Sequence, residues 1–113
     1  MMDGFVIKDL TDVNEVPTSH NAGLKRVLLS KGETRSKITQ IAVTTLKAGE
    51  VAETHSHSDM EEFFLFYEGR GKMRIGDCDV DVCPGRFVGI PIGVAHEVQA
   101  VTDLRFQTIG VEL

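Results

Sequence analysis

The stretch Gly49-Glu50-Val51-Ala52-Glu53-Thr54-His55-Ser56-His57-Ser58-Asp59-Met60-Glu61-Glu62 decides how this chain is read. Val51 to His57 alternates in character and reads as a strand. On a strand, residues two apart share a face with Cα atoms roughly 6.5–7 Å apart. His55 and His57 would then point together, with Ser56 opposite. Two imidazoles so placed can tilt onto one ion at about 2.0–2.2 Å. Residues 58–61 form a polar turn. If the chain returns antiparallel, Glu62 faces His57 across the ladder, where opposed side chains lie about 5 Å apart. A third imidazole comes from Pro91-Ile92-Gly93-Val94-Ala95-His96. There Ile90 to Gly93 fits a type I turn, with proline second and glycine fourth, and His96 opens the next strand. Three imidazoles and one carboxylate are a usual ligand set for a mid-series divalent metal.

Around this centre the chain alternates short apolar runs with glycine turns. Expected strands are Phe5 to Asp9, Leu24 to Leu29, Lys37 to Lys47, Val51 to His57, Glu62 to Tyr67, Lys72 to Ile75, Cys78 to Cys83, Arg86 to Ile90, His96 to Val101 and Leu104 to Val111. Asp12 to Ala22 is polar and reads as loop. Gly76-Asp77 fits a two-residue hairpin, since glycine tolerates positive φ. No window holds a sustained 3.6-residue period, so no helix is expected. Nine or ten short strands mean a sandwich, barrel or jelly roll.

Composition narrows the function classes. The 113 residues suit one domain, residues 1–113, able to bury a core without disulfides. Twelve Lys and Arg against seventeen Asp and Glu give a net charge of −5, which argues against nucleic acid as partner. No apolar run is long enough to span a membrane. Met1 to Leu10 lacks the pattern of a signal peptide, so a cytoplasmic location is expected. Cys78 and Cys83 are five apart, on opposite faces if they share a strand, and read as reduced thiols.

The spacing also carries a family resemblance. Gly49, five residues, His55-x-His57, four residues, Glu62, six residues, Gly69 resembles the first motif of the cupin superfamily. Gly85, five residues, Pro91-x-Gly93, two residues, His96 resembles the second. The resemblance spans residues 49 to 96. It implies a small single-domain metal-binding cupin: an all-β, double-stranded β-helix, or jelly-roll barrel, with the site inside. It likewise implies His55, His57, Glu62 and His96 as metal ligands. Ala100 stands where the second motif usually ends in asparagine, a position that is not a ligand. Glu61 is the neighbouring acid, but Glu62 fits the gap to Gly69 and Glu61 should face outward.

Strand parity extends the picture. Phe64 and Phe66 face inward with Glu62, as barrel core or as the wall of a substrate pocket. Phe63, Leu65 and Tyr67 face outward, an apolar face that calls for a second layer or a dimer partner. Single-domain cupins often pair, with an N-terminal strand crossing over, so a homodimer is expected. Glu53 shares parity with the histidines and is the weak candidate for a catalytic acid or base; a solvated strand-end glutamate is the plainer reading. Arg86 and His20 read as solvated residues.

The expected cofactor is one divalent transition metal: Mn, Fe, Ni, Co, Zn or Cu. Three neutral imidazoles and one carboxylate leave such an ion with net +1 charge, and an octahedral ion keeps two open positions. That suits an enzyme acting on a small oxygen-rich molecule, by isomerisation or epimerisation of a sugar-like compound or by dioxygenation. The alternative is a non-enzymatic module that senses a metal or small ligand. A structural, storage-type cupin is weaker, because the ligand set is intact.

Overall fold

Alternating apolar residues fold this chain into ten antiparallel strands. The structure, a computed structural model, describes residues 4–113. In order, the strands are β1 (Glu15–Pro17), β2 (Leu24–Ser30), β3 (Ile38–Leu46), β4 (Val51–His55), β5 (Met60–Glu68), β6 (Gly71–Ile75), β7 (Cys78–Val82), β8 (Phe87–Ile90), β9 (His96–Ala100) and β10 (Leu104–Glu112). They form a six-stranded sheet, β1-β2-β3-β10-β5-β8, and a four-stranded sheet, β4-β9-β6-β7. The two face each other as a jelly-roll barrel.

Inward residues of both sheets make one core. Leu46, Phe64, Phe66, Leu104 and Phe106 come from the larger sheet; Ala52, Met73, Val82, Val98 and Ala100 come from the smaller. Phe66 is fully buried and its ring lies 5.0 Å from that of Phe106. Register sets the inner rows. Across β3, β10 and β5, Thr44 pairs with Phe106 and Phe106 with Phe66; one step along, Ala42 pairs with Thr108 and Thr108 with Phe64; next, Gln40 pairs with Gly110 and Gly110 with Glu62. The rows thus run from aromatic core to polar mouth.

The four glycines that frame the two motifs, Gly49, Gly69, Gly85 and Gly93, all hold positive φ. Gly69 has a second reason to be glycine, because the Asp103 carbonyl fills the space a Cβ would need. The Gly76-Asp77 hairpin forms as expected, with Ile75 paired to Cys78.

Several expectations are corrected. Phe5 to Asp9 joins no sheet; Lys8 Nζ donates to the Leu28 carbonyl at 2.7 Å and to Glu33. A three-residue 3-10 helix, Leu10–Asp12, leads into the expected loop, and the loop itself contains β1, which pairs with β2. β4 stops at His55, so His57 lies in the following loop. β4 and β5 do not pair: β4 adds to β9, while β5 lies between β10 and β8. The segment 56–59 therefore crosses from one sheet to the other. The proline turn sits one residue later than expected. Val94 N donates to Pro91 O, placing Gly93 third at φ 77°, the position that demands glycine. Finally, β7 ends at Val82, so Cys83 lies beyond the strand, while Cys78 at its start is exposed; both are free thiols.

Candidate metal centre

Each of the four expected ligands is positioned by a different local device. His55 ends β4 and His96 begins β9, and the two are direct ladder partners. His57 follows in the loop, and its carbonyl accepts from Gly93 N at 2.8 Å, which ties that loop to the turn before His96. Glu62 reaches in from β5 of the opposite sheet. Their ligand atoms all lie within 4.8 Å of one another. Glu62 Oε1 is 3.0 Å from His96 Nε2, 3.6 Å from His57 Nε2 and 3.7 Å from His55 Nε2.

The tautomers follow from the backbone. His55 Nδ1 lies 3.0 Å from the Glu53 carbonyl and His96 Nδ1 lies 3.0 Å from the Val94 carbonyl. A carbonyl can only accept, so both Nδ1 atoms carry the proton. In the neutral rings, Nε2 then turns a lone pair toward the carboxylate. Lone pairs facing a carboxylate oxygen need a proton or a cation between them. Moreover, His55 Nε2 and His57 Nε2 are buried with no hydrogen-bond partner. An ion bonded at about 2.0–2.2 Å to each ligand would satisfy all four atoms. The carbonyls behind the rings are the outer partners that metal-bound histidines usually have. The residues fit a divalent cation.

The electrostatics agree. Burial pushes the Glu62 carboxyl up, but His55 and His96 beside it outweigh burial and hold it at about 2, from an ordinary 4.5. The Glu62 carboxylate raises His55 above its ordinary value, against the opposing effect of burial.

Phe64 closes the floor: it is buried, lines the inner cavity and meets His96 edge-on at 5.8 Å between centroids. Phe66 sits one row deeper, in the core, and lines neither cavity at the site. Glu53 points elsewhere. Ala52 pairs with Val98 and His55 with His96, so a bulge between them breaks the parity that would have aligned Glu53 with the histidines. Its carboxylate accepts from Asn21 Nδ2 at 3.3 Å, and the residue is exposed.

His20 is the residue that sequence reasoning misplaced. Its ring stacks on His55, 4.0 Å between centroids and 18° between planes. Burial, then His55, lowers its pKa. The loop delivering it is pinned. Thr18 Oγ1 donates to Ala22 O at 2.5 Å and accepts from His20 N at 3.2 Å, and Asn21 turns the chain at φ 65°. Asn21-Ala22-Gly23 was the sequence signal of a tight turn; nothing in it tells where the turn lands.

Two adjoining cavities of about 70 and 260 Å³ open at the centre. Both are bordered by Ser19, His20, Lys25, Gln40, Glu62 and Thr108. His55 and Phe64 line the inner one and His57 the outer.

A double-stranded β-helix with a His/Glu cluster at its mouth defines a barrel built to present a ligand set to a small cavity. The chain belongs to the cupin family: the Cupin domain model matches residues 42–111. No protein of curated function matches the sequence. Among solved structures, it is similar to a predicted oxalate decarboxylase of Thermotoga maritima, with TM-score 0.86 and 20% identity over 95% of this chain and 99% of the other. An ectoine synthase from P. lautus aligns with TM-score 0.83 and 18% identity, over 96% and 78% of the two chains. The oxalate decarboxylase of Bacillus subtilis, a protein with Mn(II) centres, aligns with TM-score 0.76 and 21% identity, over 91% of this chain and 28% of that one. At these identities the likeness establishes the fold alone.

Proposed function

We propose that this cupin is a metal-dependent enzyme acting on a small oxygen-rich organic compound, as an isomerase or epimerase that moves a proton beside a carbonyl. The observation that carries this reading is the convergence of three imidazole Nε2 atoms on Glu62 at the edge of a small cavity. His55, His57, Glu62 and His96 would hold one divalent transition metal. When bound, such an ion supplies Lewis-acid polarisation of a substrate oxygen. The manganese named for the Bacillus subtilis structure supports Mn(II) as a first choice among Mn, Fe, Ni, Co, Zn and Cu.

The rest of the work falls to the chain. Among the described residues Glu62 is the one carboxylate bordering the cavities, so it sets the charge that the ion keeps. Phe64 excludes water from the floor. His20 borders both cavities and is not needed as a ligand; we assign it the taking and returning of a proton.

The Mn(II)-loaded protein, incubated in heavy water with small aldoses and ketoses, tests this. Deuterium entering the carbon beside the carbonyl, with no oxygen consumed, is the expected result. Oxygen uptake with catechols, flavonols or diketones would replace it with dioxygenation. Ligand binding without either would make the chain a non-enzymatic binding module.

We also propose a homodimer. Phe63 and Phe87 stack 6.1 Å apart on the outer face of β5 and β8, and Phe87 is largely exposed. An apolar face of this kind favours a covering partner. Sedimentation at a mass near 12.4 kDa in dilute solution would contradict it.

A further inference from the structure

Lys25 is a cation in the cavity wall that the metal centre does not use. It is half-buried on β2, opposite Thr44, and therefore on the inner face of the sheet. It borders both cavities. Its ammonium donates to Gln40 Oε1 at 3.2 Å, a neutral partner, and it forms no ion pair among the described residues. A half-buried ammonium without a counter-ion favours an anion from outside.

Register fixes where that anion would lie. Gln40 pairs with Gly110, and Gly110 with Glu62, so Lys25 leans toward the row that holds the metal centre. Gln40 and Glu62 are two strand spacings apart, roughly 10 Å between Cα atoms. Between them stands Gly110, whose Cβ space is taken by Thr39 Oγ1 and the Met60 methyl, and both of those side chains border the outer cavity. Thr39, Gln40 and Thr108 border it with polar groups. Among the described residues Glu62 is the only acid lining the two cavities, and its charge is spent on the cation.

Resting on the metal-dependent reading above, we propose that the substrate is a short bifunctional acid: an oxygen pair at one end for the metal and a carboxylate at the other, held by Lys25 with Gln40. Lys25 is a specificity-determining residue for a distal carboxylate.

The test uses Co(II)-loaded protein titrated with malate and with lactate, followed by the visible cobalt spectrum and by calorimetry. Both probes offer the same hydroxy-carboxylate pair to the metal; only malate carries a distal carboxylate. Malate is expected to bind at least tenfold more tightly than lactate. Lys25→Met should remove that preference while leaving cobalt content, thermal midpoint and lactate affinity unchanged, and Lys25→Arg should restore it. Lys25→Gln is measured alongside, so that misfolding of one variant does not decide the matter. Equal affinity for malate and lactate in the parent protein, or a malate preference that survives both neutral variants, overturns the proposal and leaves the metal centre standing. A chain that takes up no cobalt overturns both.

Discussion

His20 lies flat against His55, with ring centroids 4.0 Å apart and planes 18° apart. The loop between β1 and β2 thus reaches across the barrel mouth and touches a ligand of the candidate metal centre. One face of His55 is covered by His20, and its Nε2 is left to the cluster.

That contact separates holding the metal from using it. His20→Ala keeps all four ligands. Metal content per chain should stay unchanged while proton exchange falls by roughly two orders of magnitude, the usual contribution of a placed acid–base group. Exchange at the parental rate would remove His20 from the chemistry.

The ligands themselves should answer to elemental analysis. Protein purified without chelator is expected to carry about one ion per chain, as one four-ligand site implies. His57→Ala and Glu62→Gln should each lose most of it. Glu62→Gln also strips the charge that raises His55, so its metal-free form should titrate His55 at lower pH by NMR. Full metal occupancy in either variant would contradict the assignment.

The pH dependence of the metal-free protein has two limbs. Glu62 is held at about 2 rather than 4.5, so its contribution to stability is present above 4.5 and lost as pH falls toward 2. His55 is raised above 6.5, so its contribution is complete below 6.5 and lost as pH rises through its folded value. The metal-free melting temperature should fall on both sides of that window. Metal competes with the proton on His55, so added metal should stabilise more as pH rises. A melting curve for the metal-free protein that stays flat through both limbs would refute the coupling.

Core and site should part company at two adjacent phenylalanines. Phe66→Ala empties a fully buried position and should cost about 3–5 kcal/mol, with metal bound normally by the folded fraction. Phe64→Ala also removes the ring edge against His96, so it should weaken metal binding as well as stability. Denaturant melts with metal titration distinguish the two.

Much of this was legible in the residues. The clustering of the four residues was plain because glycine and proline, which have few conformational uses, spaced the histidines and Glu62. Strand parity put Phe64 and Phe66 inward correctly. It failed for Glu53, because a bulge carries no side-chain signature and its effect is to reverse parity. The β4–β5 hairpin failed because residues 56–59 cross between sheets; local polarity marks a bend without naming its destination. His20 was invisible for a similar reason: a short polar loop is placed by long-range pairing of β1 with β2, and only there does it meet His55. Phe5 to Asp9 reads as a strand because its residues favour one, but no sheet edge in the described chain takes it up.

The bulge between Ala52 and His55 has a wider meaning. It acts as a frame boundary within one strand. Upstream, Ala52 is phased by the barrel interior; downstream, His55 is phased by its partner His96. A substitution upstream of the bulge, around Ala52, need not reset the phase of His55. A scaffold divided in this way can change its chemistry by small steps without relearning how to fold.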